Sequence, residues 1–328
     1  MRLHRIVSYS AIILLIAVLF AGVVAVPTAA QNDTMQFRYN ATHLGDYSPV
    51  AGSNVSNGKL TWRLTTGDYV LSSPALVDGV VYIGSDDNNT YALNATTGIE
   101  LWNYTTGGAV LSSPAVINGT VYVGSDDNNT YALNATTGTK LWNYTTGGAV
   151  LSSPAVINGT VYVGSNDNNT YALNATTGTK LWNYTTGGAV LSSPAVINGT
   201  VYIGSDDNNT YALNATTGTK LWNYTTGDNV ESSPAVINGT VYIGSDDNNV
   251  YALSAATGAK VWSFTTGDYV FSSPAVVNGT VYVGSNDGNV YAIGNAAAAT
   301  SQGTTPGFEV MLALVGLVIA AYVVRRKS

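Results

Sequence analysis

The sequence predicts an all-β fold: a six-bladed propeller of four-stranded antiparallel blades. Three observations predict it. Trp62, Trp102, Trp142, Trp182, Trp222 and Trp262 stand forty residues apart, as do Pro74, Pro114, Pro154, Pro194, Pro234 and Pro274. Each forty-residue unit carries four short β-rich runs separated by turn residues. No helical period appears anywhere in the repeats, and a unit of about 40 residues with four strands is the signature of a blade.

One unit, residues 149–186, justifies each element in order. AVLSSPAVI is the first β-rich run. Asn158-Gly159 follows, a pair suited to a two-residue hairpin because both positions tolerate positive φ. VYVGS is the second strand. Asn166-Asp167-Asn168-Asn169 turns the chain into TYALNA, and Thr177-Gly178 turns it again into KLWNYTT. A parallel β-helix is the structural alternative, but its coils are shorter and the hairpin turns argue against it.

The segment ALNATTGTKLW (132–142) resembles the tryptophan-docking motif A-x-D-x-x-T-G-x-x-x-W of the PQQ-like propeller repeats. It recurs at 92–102, 172–182, 212–222 and 252–262. The copies depart from the pattern with Asn94, Asn134, Asn174 and Asn214 in place of Asp, and with Ser254 in the fifth. FRYNATHLGDYSP (37–49) resembles the lead-in that precedes such propellers. In physical terms each Trp is a structural wedge, a large flat ring packed between adjacent blades.

Counting strands from both ends predicts how the ring closes. KLTWRLTTG (59–67) is a fourth strand without a first three, and the last unit has its first three strands without a fourth. The expectation is therefore that the Trp62 strand joins the last blade. The expected organisation is a signal peptide at 1–30, a lead-in at 31–58, the propeller at 59–294, a linker at 295–305 and a C-terminal signal at 306–328.

The two ends address a membrane. Arg2 and Arg5 precede the apolar run AIILLIAVLFAGVVAV, and small residues Thr28 and Ala30 suit cleavage before Gln31. Near the C-terminus Pro306-Gly307-Phe308 is followed by an apolar helix signal and by Arg325-Arg326-Lys327. The basic cluster should stay cytoplasmic, which leaves the body outside. This order of parts resembles the archaeal PGF-CTERM surface-sorting signal, and the resemblance implies processing by an archaeosortase and replacement of the helix by a lipid anchor.

Composition narrows the function classes. Charged residues make up only 9% of the chain, against about 25% in an average protein. Residues 31–305 hold seven basic and eighteen acidic residues, a net charge of −11, so no nucleic acid partner is expected. The chain has no cysteine, hence no disulfide framework and no thiolate site. His43 is the lone histidine after the signal segment, and no Ser-His-Asp set can be argued around it. Resemblance to PQQ-like repeats raises a quinone-dependent oxidoreductase, but those enzymes use a vicinal cysteine pair that is missing here. No catalytic residue and no cofactor is expected.

Two repeated features remain. The GSDDNN turns place Asp86-Asp87, Asp126-Asp127, Asp206-Asp207 and Asp246-Asp247 between second and third strands, with Asp167 and Asp287 beside asparagines. Oxygen ligands at this density are candidates for weak calcium binding; the competing reading is a turn rich in turn-forming residues. N-x-S/T sequons occur at Asn32, Asn40 and Asn54, and in the repeats at Asn88, Asn94, Asn103, Asn118 and their equivalents. Sugar on many of them would make a glycoprotein and supply the solubility that so few charges do not. The functional expectation is a non-enzymatic cell-surface scaffold, multivalent through its repeated loops, with surface-layer proteins or extracellular glycans as partners; a purely structural coat is the alternative.

Overall fold

The structure, a computed structural model, describes residues 58–277 and 279–294. Within them the chain is all β. The first blade comprises β1 (Ala75–Val77), β2 (Val80–Gly84), β3 (Asn89–Asn94) and β4 (Glu100–Thr105), paired in that order. The pattern recurs at forty-residue steps through β20 (Lys260–Thr265), making five four-stranded antiparallel sheets. A sixth sheet holds β21 (Ala275–Val277), β22 (Thr280–Gly284) and β23 (Val290–Gly294).

Local chemistry explains each turn. At Asn158-Gly159 both residues take positive φ, 50° and 75°, the geometry of a two-residue hairpin whose twist matches the strands. In the first blade Asp78-Gly79 does the same at 49° and 76°. Asn88, Asn128, Asn168, Asn208 and Asn248 take φ near 70° in the next turn, a left-handed conformation that asparagine tolerates better than most residues.

Alternation then sends one face of each strand toward a neighbouring blade. In TYALN (170–174), Tyr171 and Leu173 join Val150, Val156, Val161 and Val163 in one cluster. Ala115, Tyr122, Ala132 and Trp142 of the preceding blade complete that cluster. The core is thus a series of inter-blade layers, not a single centre. The innermost strands are tied by a ladder at forty-residue steps. Ser73 N–H donates to Ser113 Oγ, Ser113 N–H to Ser153 Oγ, and Ser153 N–H to Ser193 Oγ, at 2.8–2.9 Å. Ser193 and Ser233 continue it to Ser273.

Ring closure departs from expectation. Among the described residues, 59–67 form no strand and the last sheet has three strands, so the Trp62 segment does not join the last blade. Trp62 instead docks on the first blade, where its Nε1 donates to the Ala95 carbonyl at 2.8 Å. The two end faces stay open. Tyr282 is 44% exposed, whereas its equivalent Tyr122 is 4% exposed. Val290 on β23 is 81% exposed and Val70 before the first blade 43%. The physical reason is that the docking bonds tie a fourth strand to the blade after it. Pairing with the blade before it requires the summed rotation of all blades to complete a circle.

Candidate functional site

The acidic turns hold two kinds of carboxylate, and the structure separates them. In each unit the second position is a structural clamp. Asp167 Oδ2 accepts from Gly147 N–H and from Tyr171 O–H, both at 2.6 Å, while Oδ1 accepts from Asn169 N–H at 3.0 Å and Nδ2 at 3.1 Å. Asp87, Asp127, Asp207, Asp247 and Asp287 repeat the arrangement, with Tyr91, Tyr131, Tyr211, Tyr251 and Tyr291 as phenol donors. The clamp thereby ties the exit of one fourth strand, at Gly147, to the turn of the following blade.

The clamp sets the titration of both partners. Burial pushes the Asp167 carboxyl up, but hydrogen bonds from Tyr171, Gly147 and Asn169 outweigh it and hold the pKa below its ordinary value. Asp287, whose largest influence is the Tyr291 bond, is lowered to about 2. The phenols move the opposite way: burial and then the bonded carboxylate raise Tyr91 to about 12.

The first position of the pair is different. Asp86, Asp206 and Asp246 each leave Oδ1 buried without a hydrogen-bond partner. Burial first, then the Asp86 and Asp127 charges, raises Asp126. Burial and Asp207 raise Asp206. The effect peaks at Asp246, 8% exposed, where burial, then Glu231, Asp228, Asp206 and Asp247, pushes the carboxyl up to about 7. Burial and the Asp206 charge also raise Glu231. Asp206, Glu231 and Asp246 therefore share one acidic patch across adjacent blades. The sequence reading missed it because Glu231 replaces a hydrophobic residue found at 71, 111, 151, 191 and 271, a single-unit change outside the acidic motif. Among the described residues no group of three or more His, Asp or Glu side chains is arranged to hold a metal ion.

Four tryptophans lie buried between neighbouring blades. Trp102, Trp142, Trp182 and Trp222 donate from Nε1 to the carbonyls of Ala135, Ala175, Ala215 and Ala255 at 2.9 Å. Each of those carbonyls also accepts a tyrosine hydroxyl, from Tyr82, Tyr122, Tyr162 or Tyr202. Ring centroids within each Tyr–Trp pair lie 5.8 Å apart. Trp262 is half-buried and lies 5.9 Å from Tyr242. The expected motif asparagines cap the corner: Asn134 Oδ1 accepts from Thr136 N–H and Thr137 N–H at 2.9 Å. Asparagine thus replaces aspartate there without loss of the cap, since the oxygen alone is used.

The sequon asparagines fall in unlike settings. Asn88 is half-buried in a turn and Asn94 half-buried at the end of β3, whereas Asn103 on β4 and Asn118 in the first hairpin turn of its blade are exposed. Asn32, Asn40 and Asn54 lie outside the described residues, as do Pro306, Gly307 and Phe308. Among the described residues no helix is long and apolar enough to cross a membrane.

Comparison with known proteins places this architecture. The fold is similar to BamB from Moraxella catarrhalis, at 22% identity and TM-score 0.65, over 72% of this chain and 77% of that one. It is similar to the computationally designed Ika8 protein, at 18% identity and TM-score 0.62, over 68% and 70% of the two chains. It is also similar to the quinohemoprotein alcohol dehydrogenase ADHIIG from Pseudomonas putida HK5, at 21% identity and TM-score 0.63, over 77% of this chain but only 56% of the enzyme. No curated protein sequence matches the chain. Residues 305–327 match the PGF-CTERM motif, a C-terminal sorting signal processed by archaeosortase, which makes this a protein anchored at the cell surface. Residues 46–155, 145–233 and 227–301 match one repeat family in overlapping succession, so this β-propeller chain belongs to the family described as outer membrane protein assembly factor BamB.

Proposed function

We propose that the protein is a non-enzymatic scaffold, held on the outside of the cell membrane, that presents equivalent loops several times to surface-layer proteins or extracellular glycans. The observation that carries this reading is equivalence. The same clamp, cap and dock recur from blade to blade with hydrogen-bond lengths that agree within about 0.1–0.2 Å. A catalytic centre needs different groups converging in different roles, whereas repeated identical loops suit weak contacts that add by avidity. Membrane attachment outside the cell rests on the sorting motif and on the basic tail that follows it.

The charge pattern supports the same reading over a quinone enzyme. Pyrroloquinoline quinone is a polycarboxylate, and the turns that gather here are acidic. The described cations, Lys59, Arg63, Lys140, Lys180, Lys220 and Lys260, are exposed, on the fourth strands or the segment equivalent to one. With no cysteine in the chain, the donor set does not fit that cofactor.

The test uses the full chain in detergent, with surface-layer protein and cell-wall polysaccharide from the producing cell as probes. Deleting one internal forty-residue unit should weaken binding to immobilised probe severalfold without abolishing it. Loss of all binding on removal of any one unit would point to a single tuned pocket. Saturable quinone binding in the presence of calcium, read by absorbance, would overturn the non-enzymatic reading.

A further inference from the structure

The fourth strand of each blade is the outer edge of its sheet, and it carries a feature invisible in the repeat pattern. In the register of β12 (Lys180–Thr185) against β11 (Asn169–Asn174), Ala172 faces Trp182 and Leu173 faces Lys180, so Leu181 is an extra, bulged residue. The same bulge occurs at Leu101, Leu141 and Leu221. A bulge re-aims the side chain it displaces. Here it turns four leucines to solvent at 50–53% exposure, on edge strands that carry one charged residue each, Glu100, Lys140, Lys180 or Lys220, bonded to the asparagine three residues on.

Two residues beyond each leucine, on the same face of the strand, stands an exposed asparagine: Asn103, Asn143, Asn183 and Asn223. Each opens an Asn-x-Thr sequon with Thr105, Thr145, Thr185 or Thr225. In three of the four, asparagine and threonine bond to one oxygen: Asn143 Nδ2 donates to Asn129 Oδ1 at 2.9 Å and Thr145 Oγ1 to the same oxygen at 2.6 Å, with Asn183 and Asn223 alike, whereas Asn103 Nδ2 donates to Glu100 Oε1 at 2.8 Å. The other sequon classes differ. Asn88 is half-buried with its partner Thr90 fully buried, Asn94 is half-buried with Oδ1 committed to the turn, and exposed Asn118 has no bulged leucine beside it.

We infer that Asn103, Asn143, Asn183 and Asn223 are N-glycosylated, and that each glycan covers the bulged leucine two residues before it and caps the sheet edge. The donor class is an oligosaccharide linked to a lipid through phosphate, transferred outside the membrane. The asparagine amide nitrogen bonds to the anomeric carbon, the C–O bond to phosphate breaks, the lipid phosphate leaves with the electron pair, and the amide gives up one proton. One N–H remains on Nδ2, enough for the single bond each makes, to Asn129, Asn169 or Asn209 and, from Asn103, to Glu100. The fifth such strand, β20, has Ser263 at the sequon position and is a built-in unmodified comparison.

Site mapping by peptide mass spectrometry on the full chain from its natural producer should find glycan at all four asparagines. Unmodified peptides at these positions would overturn the assignment. Enzymatic or chemical removal of the glycans from the folded protein should raise binding of an apolar fluorescent dye severalfold and promote self-association. The quadruple variant Leu101→Thr, Leu141→Thr, Leu181→Thr, Leu221→Thr should abolish that rise, because it removes the apolar surface beneath the glycans at positions already half in water. Dye binding unchanged after deglycosylation, or a rise that persists in the quadruple leucine variant, would overturn the shielding role.

Discussion

The clamp carboxylate offers the sharpest test of how neighbouring blades are held together. Consider Asp167→Asn. The native carboxylate accepts four hydrogen bonds, two per oxygen, from Gly147 N–H, Tyr171 O–H and both nitrogens of Asn169. An amide keeps one acceptor oxygen and turns the other into a donor. If its oxygen faces Gly147 and Tyr171, its NH2 meets the two N–H groups of Asn169; the reverse orientation strands Gly147. At least one backbone donor is orphaned either way, and the remaining bonds lose their charge. With hydrogen bonds to charged groups contributing about 1.5–3 kcal/mol each, the substitution should cost about 2–4 kcal/mol. Tyr171→Phe removes donor and hydroxyl together and orphans nothing, so about 1–2 kcal/mol is expected. Both are read by urea unfolding followed through tryptophan fluorescence. An Asp167→Asn protein within 0.5 kcal/mol of the parent, a threshold set by ordinary surface substitutions, would show that the turn holds without its charge. The clamp pKa values lie below their ordinary value of 3.8, so the stability they supply is full above that pH and is lost as pH falls through the folded values.

Other outcomes follow from the same geometry. Gly178→Ala should destabilise by about 2 kcal/mol or more in thermal or urea unfolding, since φ is +71° and a Cβ would stand 2.7 Å from the Trp142 ring. Tyr122→Ala empties a buried inter-blade position and should cost about 3–5 kcal/mol, whereas Tyr282→Ala at the open end should cost under about 1 kcal/mol; equal losses would mean the last face is covered. Asp246 titrates the opposite way to the clamps. Its folded pKa of about 7 exceeds the ordinary 3.8, so stability should fall as pH rises between those values, and Asp246→Asn should flatten the melting temperature across that window.

Much of the site was legible in sequence, for reasons visible residue by residue. The Asn158-Gly159 hairpin follows from intrinsic backbone preference, and the Trp142 wedge from a large ring recurring at fixed spacing. The second aspartate of each turn is present in all six units, while the first alternates with Asn166 and Asn286, a contrast that matches clamp against unpaired acid. The bulge at Leu181 and the patch joining Asp206, Glu231 and Asp246 were not legible, because they depend on register and on proximity between blades.

By itself the sequence determined what backbone preference and fixed spacing encode: strand order, turn type and the recurring tryptophan wedge. Those interactions are short-ranged and recur, so identical residues yield identical layers. Only the tertiary structure decided what the succession of blades adds up to. Whether the Trp62 segment meets β23 depends on a small rotation at every layer, accumulated over the whole arc, and no single residue carries that sum.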